Sequence, residues 1–253
     1  MKVIGSDYDG TLTYGGINET KLLSIQKWRK AGHKFGIITG RDKNFREELI
    51  QQFPLLQLDF FAACSGACIL DENGAVVYEA RCSEVNVSEF LAELFGYGCK
   101  FAHISCEKYL CVAENRENIP SYVSEDAAHL LKECPRIDHF HQISVQLPSA
   151  EEALAVVEKI QYKHAKWLNP LQNENCIDIV PVGVNKAQGM YRVMEFFGCL
   201  HQDVITVGDN VNDIDMIRSF RSYAMENGVE ETKKIADAVV SDVTEVIERE
   251  LSF

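Results

Sequence analysis

No stretch of this sequence approaches the ~18 consecutive apolar residues of a membrane span, and its first twenty residues already carry Asp7, Asp9 and Glu19. Neither insertion nor export is signalled, so a cytoplasmic location is the expectation. Clusters of Lys and Arg are also missing. Asp and Glu number 38 against 25 Lys and Arg, a formal net charge of −13 that repels nucleic acid and other polyanions. The nine cysteines are odd in number and scattered, without a Cys-x-x-Cys pair, which excludes the usual zinc and redox frameworks and fits reduced thiols. Internal repeats and low-complexity tracts are absent as well. What remains is an ordinary globular composition, 46% hydrophobic and 25% charged. At 253 residues the chain exceeds what one hydrophobic core usually needs, so a domain plus an insertion is expected.

Residues 2–6 are short, apolar and small before the chain turns polar at Asp7 and reaches Gly10, which reads as a buried strand ending in a loop. Asn18 caps a helix with Leu22, Ile25 and Trp28 at helical spacing; Gly32 ends it, and Phe35 to Ile38 form a second strand closing on Thr39-Gly40. A helix through Phe45, Leu49 and Ile50 stops near Pro54, and Leu58 to Cys64 read as a third strand. Parallel, buried strands are the economical arrangement. Asn73-Gly74 then marks a hairpin between Cys68–Leu70 and Ala75–Tyr78.

From about 80 to 182 the rhythm changes to strand-like runs at 99–104, 109–113, 138–147 and 175–180 mixed with helices. Ser149 and Glu152 predict a capping box opening a helix whose buried face is Leu154, Val157 and Ile160. After Asn185 the α/β alternation returns, with Met190, Val193, Met194 and Phe197 on one helix face and a buried strand, Val204 to Val207, ending on Gly208-Asp209. The expected architecture is α/β: a Rossmann-like doubly wound parallel sheet core, 1–79 and 183–253, with an inserted α+β cap, 80–182.

Three apolar strands therefore end in Asp7, Thr39 and Asp209, and in an open parallel sheet ligands bind at the carboxyl ends of strands. Neighbouring Gly10, Gly40 and Gly208 let backbone N–H groups approach an anion. Any one of these ends alone reads as turn punctuation, but the three agree. Asp7 and Asp9, two apart in an extended segment, are expected to point the same way, as paired acids at a metal or catalytic site do.

The run Asp7-Tyr8-Asp9-Gly10-Thr11-Leu12-Thr13 resembles the first signature of the haloacid dehalogenase superfamily. Ile37-Ile38-Thr39-Gly40-Arg41 resembles the second, Gly183-Val184-Asn185-Lys186 the third, and Gly208-Asp209-Asn210-Val211-Asn212-Asp213 the fourth, in the right order. Ile177–Pro181, Ala224–Gly228 and Ala236-Asp237 are similar to the Cof-like, sugar-phosphatase branch with a large C2-type (IIB) cap.

The resemblance implies a phosphatase with Asp7 as nucleophile and Asp9 as general acid and base. It implies one Mg²⁺ held by Asp7, the Asp9 backbone carbonyl and Asp209, with Thr39, the Gly40 amide, Lys186 and Asn212 on the phosphate. Asp213 would orient Lys186 or metal-bound water. The physics agrees, because a phosphate ester beside three carboxylates needs cations. Lys186, in the first turn of its helix, opposes the macrodipole at roughly 0.3–1 kcal/mol, a position lysine rarely takes for stability. The implied substrate is a small phosphorylated metabolite, most simply a sugar phosphate, with no nucleic acid or membrane partner. A phosphomutase of the same fold and a receiver-like signalling module are the alternatives. Phosphate release, isomerisation without release, and slow self-phosphorylation separate the three.

Two departures stand out. Ser65-Gly66-Ala67 occupies the place where Asn-Gly-Ala is common, and Cys176 and Asp178 lie on the strand returning to the core, where Asp178 either touches substrate or is an exposed strand carboxylate. His139 and His141 share a strand face but lack a third metal ligand. Cys64 and Cys68 read as buried small hydrophobes, and Glu245–Glu250 as the solvated face of the last helix.

Overall fold

The computed structural model describes residues 1–252. The chain forms two compact units, residues 1–78 with 185–253, and residues 79–184. No helix among the described residues is long and apolar enough to cross a membrane.

In the first unit, β1 (Val3–Ser6) leads through a tight loop to α1 (Glu19–Lys30), β2 (Lys34–Ile38), α2 (Phe45–Gln52) and β3 (Phe60–Ala63). The Asn18 side chain accepts from the Lys21 N–H and so caps α1, which buries Leu22, Ile25 and Trp28. Fully burying a side chain of this size is worth about 1.5–3 kcal/mol, and the Trp28 indole keeps its hydrogen bond, donating to the Lys34 carbonyl at 2.8 Å. β3 is shorter than the sequence suggested and hands over to β4 (Cys68–Asp71) and β5 (Val76–Glu79). Gly74 takes the left-handed backbone (φ 85°) in the loop between these two strands, where Gly74 N–H donates to Asp71 and Asp71 N–H to Ala75.

The second unit contains α3 (Val87–Gly96), β6 (Phe101–Ser105), β7 (Tyr109–Ala113), β8 (Ala128–Leu130), β9 (Gln142–Gln146), α4 (Ala150–His164), β10 (Leu168–Asn173) and β11 (Cys176–Pro181). Its sheet runs β10-β11-β9-β6-β7-β8, antiparallel except for the parallel pair β7–β8. Ala102, Ile104, Val112, Ile143, Val145 and Ile177 pack with α3 and α4 in one apolar cluster. Alternation turns the register-paired row Cys111, His103, Ser144 and Asp178 to the other face.

In α4 the Ser149 hydroxyl accepts from the Glu152 N–H at 3.2 Å, but the buried face is Ala153, Val156, Val157 and Ile160. Leu154 is exposed, contrary to the sequence reading. A 3-3 spacing drifts around a helix of 3.6 residues per turn, whereas the 3-1-3 spacing stays on one side. β10 escaped the sequence reading because Pro170 breaks the strand pattern; β10 is an edge strand, where a missing N–H is tolerated.

The chain then returns to the first unit with α5 (Lys186–Phe197), β12 (Val204–Gly208), α6 (Ile214–Ser219), β13 (Arg221–Met225), α7 (Glu230–Ile235), β14 (Ala238–Val240) and α8 (Val243–Leu251). The sheet order is β14-β13-β12-β1-β2-β3-β4-β5; the first six of these strands are parallel, and β4 turns back antiparallel to β3. Val3, Ile38, Phe60 and Val204 pack with Met190 and Val193 of α5 and Met216 of α6. Gly198 ends α5 in the left-handed conformation. α8 corrects one expectation. Glu250 is buried, not solvated, because it occupies the i+7 place of the stripe Val243, Val246, Ile247. There it accepts from Tyr223 Oη at 2.6 Å and pairs with Arg221 at 2.7 Å and Lys2 at 3.0 Å.

Candidate active site

β12, β1 and β2 are neighbours, so the residues just beyond their carboxyl ends, Asp209, Asp7 and Thr39, meet along one edge of the sheet. The Asp7 N–H donates to the Val207 carbonyl at 2.9 Å, which locks the first loop to the last strand residues of β12. Lys186 is the first residue of α5 and is buried; its ammonium lies 2.7 Å from Asp7 Oδ1 and 2.6 Å from Asp213 Oδ1. Asp213 is fully buried too, and its other oxygen accepts from the Asp209 and Asn210 N–H groups at 2.9 and 3.0 Å. Asp209 accepts from the Thr11 hydroxyl at 2.6 Å. Thr11 and this bond were not singled out in the sequence, although the threonine belongs to the first signature.

Carboxylate oxygens of Asp7, Asp209 and Asp213 lie within 4.8 Å of one another. Burial and the Asp213 charge push the Asp7 carboxyl well above the usual range, against the pull of Lys186. Burial, with Asp213 adding to it, raises Asp209 to about 6, although the Thr11 bond and Lys186 pull the other way. Burial alone would lower Lys186, but the Asp213 and Asp7 charges hold it above the ordinary lysine value. One ammonium among three buried acids leaves a site short of positive charge. Its all-oxygen donor set suits a hard divalent cation.

Asp9 departs from the expectation. The segment after Asp7 does not continue the strand: Tyr8–Leu12 winds into one wide turn in which Asp9 keeps an extended backbone (φ −73°, ψ 127°), with Leu12 N–H donating to Asp7 and Thr13 N–H to Tyr8. Gly10 permits it with φ 75°, and a Cβ there would stand 2.4 Å from Asp209 Oδ2. The two carboxylates take different partners. Asp7 faces Lys186, and Asp9 is exposed and gripped by Arg41 at 2.7 and 2.8 Å. Buried Lys21 braces the far side of the turn by donating to the Leu12 and Tyr14 carbonyls, both at 2.8 Å.

Thr39 is buried, its hydroxyl accepting from the Arg41 N–H at 3.2 Å, and Gly40 follows it directly. Asn212 sits in the turn between β12 and α6, with its Oδ1 buried and unpartnered. Asp178 lies in the second unit and is half-buried rather than exposed, accepting from Ser144 at 2.7 Å and Gln142 at 3.1 Å. His141 and His139 pair there with Glu79 and Glu107 at 3.0 and 3.2 Å.

Acids and a lysine gathered at the carboxyl ends of parallel strands define an α/β enzyme that works on an anionic group. The chain belongs to the haloacid dehalogenase-like hydrolases, whose family profile matches residues 4–247. It is a phosphatase of the Cof-like branch. It is 25% identical over 260 residues to a 5-amino-6-(5-phospho-D-ribitylamino)uracil phosphatase of Bacillus subtilis (strain 168), covering 93% of this chain and 90% of that protein. A phosphatase of the same name from Escherichia coli (strain K12) is 26% identical over 246 residues, covering 90% and 86%. The fold matches a solved haloacid dehalogenase subclass IIB sugar phosphatase with a TM-score of 0.77 at 20% identity, over the whole of both chains.

Proposed function

We propose that this phosphatase is Mg²⁺-dependent and hydrolyses small phosphorylated metabolites, sugar phosphates foremost, through a phosphoryl group carried on Asp7. The observation that supports it best is the buried cluster of Asp7, Asp209 and Asp213 on one lysine. Asp7, Asp209 and the Asp9 backbone carbonyl are the groups to hold the cation, which supplies positive charge beside the phosphate.

Asp7 attacks phosphorus, its new O–P bond forming as the ester O–P bond breaks, and the leaving alkoxide takes a proton from Asp9. Water then attacks the phosphoryl group, gives its proton to Asp9 and frees Asp7 with inorganic phosphate. Lys186, Thr39, the Gly40 amide and Asn212 hold the phosphate oxygens. Asp213 fixes the lysine.

The second unit acts as the cap that selects the leaving group, and the row His103, Ser144 and Asp178 is its candidate reading surface. Relatives named for a phosphorylated ribitylamino-uracil put that compound beside sugar phosphates and nucleotides in the panel to assay. Phosphate release that requires Mg²⁺ and favours phosphorylated sugars or sugar alcohols is the expected result; release without added divalent cation from a chelator-treated sample contradicts it.

A further inference from the structure

The Asp9–Arg41 pair is built more carefully than a surface ion pair requires. Arg41 donates through Nε to Asp9 Oδ2 at 2.8 Å and through Nη2 to Oδ1 at 2.7 Å, so the guanidinium fork engages both carboxylate oxygens. The pair is largely exposed, 44% for the arginine side chain and 55% for the aspartate, and such pairs add little to stability. The guanidinium itself rests against two aromatic rings. Its carbon lies 4.2 Å from the Phe45 ring centre and 5.1 Å from that of Tyr8, and the two rings meet edge to face at 4.9 Å. The Arg41 backbone is tied as well, its N–H to the Thr39 hydroxyl and its carbonyl to the Cys64 N–H at 2.9 Å.

We propose that Arg41, seated on Tyr8 and Phe45, is a positioning residue that sets the direction of the Asp9 carboxylate for proton transfer. The proposal rests on the reading of Asp9 as general acid and base. An exposed carboxylate on a turn has two free side-chain torsions, and proton transfer needs one defined direction. The planar fork supplies it, and the aromatic pair fixes the plane of the fork. When one Asp9 oxygen gives or takes the proton, the other stays on the guanidinium, so the carboxylate pivots on Arg41 instead of rotating freely. Lysine, a point charge, holds no such plane.

The test compares wild type with Arg41→Lys, Arg41→Gln, Phe45→Leu, Asp9→Asn and the double variant Asp9→Asn/Arg41→Gln. Phosphoenzyme formation is followed by rapid quench on a sugar phosphate and on p-nitrophenyl phosphate, whose phenol leaves with little protonation. A positioned proton donor contributes about 10²–10⁴-fold, and loss of its orientation is expected to forfeit at least about tenfold on the sugar phosphate. On the nitrophenyl ester the loss stays under about threefold, and inhibition by inorganic phosphate is unchanged. Arg41→Lys fails to rescue, and the double variant is no slower than Asp9→Asn alone.

Equal losses on both esters, weaker inhibition by phosphate, or additive losses in the double variant overturn the proposal, since Arg41 then acts independently of Asp9. If the Arg41 variants unfold, Phe45→Leu carries the same test, with the same leaving-group pattern expected and an equal loss on both esters contradicting it. Asp9→Asn with wild-type turnover removes the acid–base reading and the proposal together, whereas a leaving-group-selective Asp9→Asn beside additive Arg41 removes the proposal alone.

Discussion

Ser65 shows how a single residue departs from what its position favours. Its backbone is left-handed (φ 54°, ψ 28°), beside Cys64 at φ 52°, and its buried hydroxyl has no hydrogen-bond partner. A left-handed residue with a Cβ is disfavoured by roughly 1–2 kcal/mol, and an unpaired buried hydroxyl adds to that. Ser65→Gly is therefore expected to stabilise the protein by about 1 kcal/mol after glycine's entropy in the unfolded chain is offset. Urea unfolding checks this, and a lower midpoint would refute the strain argument. The neighbouring Gly66 allows no such freedom. A Cβ there would lie 2.9 Å from the Asn185 carbonyl and the Gly189 Cα, so this loop touches the start of the helix that carries Lys186.

Among the elements, α8 is pinned by a buried carboxylate. Glu250 holds Tyr223, Arg221 and Lys2, and Lys2 also donates to the Glu250 carbonyl at 2.7 Å. The two cations it holds are partly exposed, and a hydrogen bond to a charged group is worth about 1.5–3 kcal/mol, so Glu250→Ala should lower the unfolding free energy by that order while Glu250→Gln loses less. A change under about 1 kcal/mol in Glu250→Ala would show that the carboxylate is dispensable. On β6, burial lowers His103 to about 4, and the ring meets Tyr109 Oη at 2.6 Å and Tyr122 Oη at 3.0 Å. The depressed folded value, against about 6.5 unfolded, gives stability that is present above pH 6.5 and lost as pH falls through about 4. Unfolding followed from pH 7 to 4 should show this slope, and His103→Gln should flatten it; an unchanged slope contradicts the assignment.

The elements also show why some of the molecule was legible in sequence and some was not. The ends of β1, β2 and β12 were readable because a short apolar run followed by Asp or Thr and Gly has few other meanings. The direction of Asp9 was not, because it depends on the wide turn closed by Leu12 and Thr13 N–H groups and on Arg41, which reaches Asp9 across 32 positions. Glu250 was misread because its charge outweighed its place in the Val243-Val246-Ile247 stripe, which periodicity alone reveals. β8 and β10 are edge strands that carry little apolar patterning.

At the scale of the whole molecule, we propose that the unit carrying Asp7 does the chemistry and that residues 79–184 choose the ester. Replacing 79–184 with the matching unit of a relative is expected to change which ester is cleaved while dependence on Asp7 and on Mg²⁺ persists. An unchanged preference across the substrate panel would place selection in the first unit instead.

Asp7 is the proposed carrier of the phosphoryl group: its carboxylate is buried against Lys186, whereas Asp213, the other acid on that lysine, has its second oxygen taken by the Asp209 and Asn210 N–H groups. Enzyme mixed with substrate, quenched in acid and digested for mass spectrometry is the direct measurement. The account predicts a phosphorylated peptide containing Asp7 in the wild type, and in folded Asp7→Asn neither that peptide nor phosphate release. Release at a near-native rate from purified Asp7→Asn, or a phosphoryl group found on another residue, would contradict it.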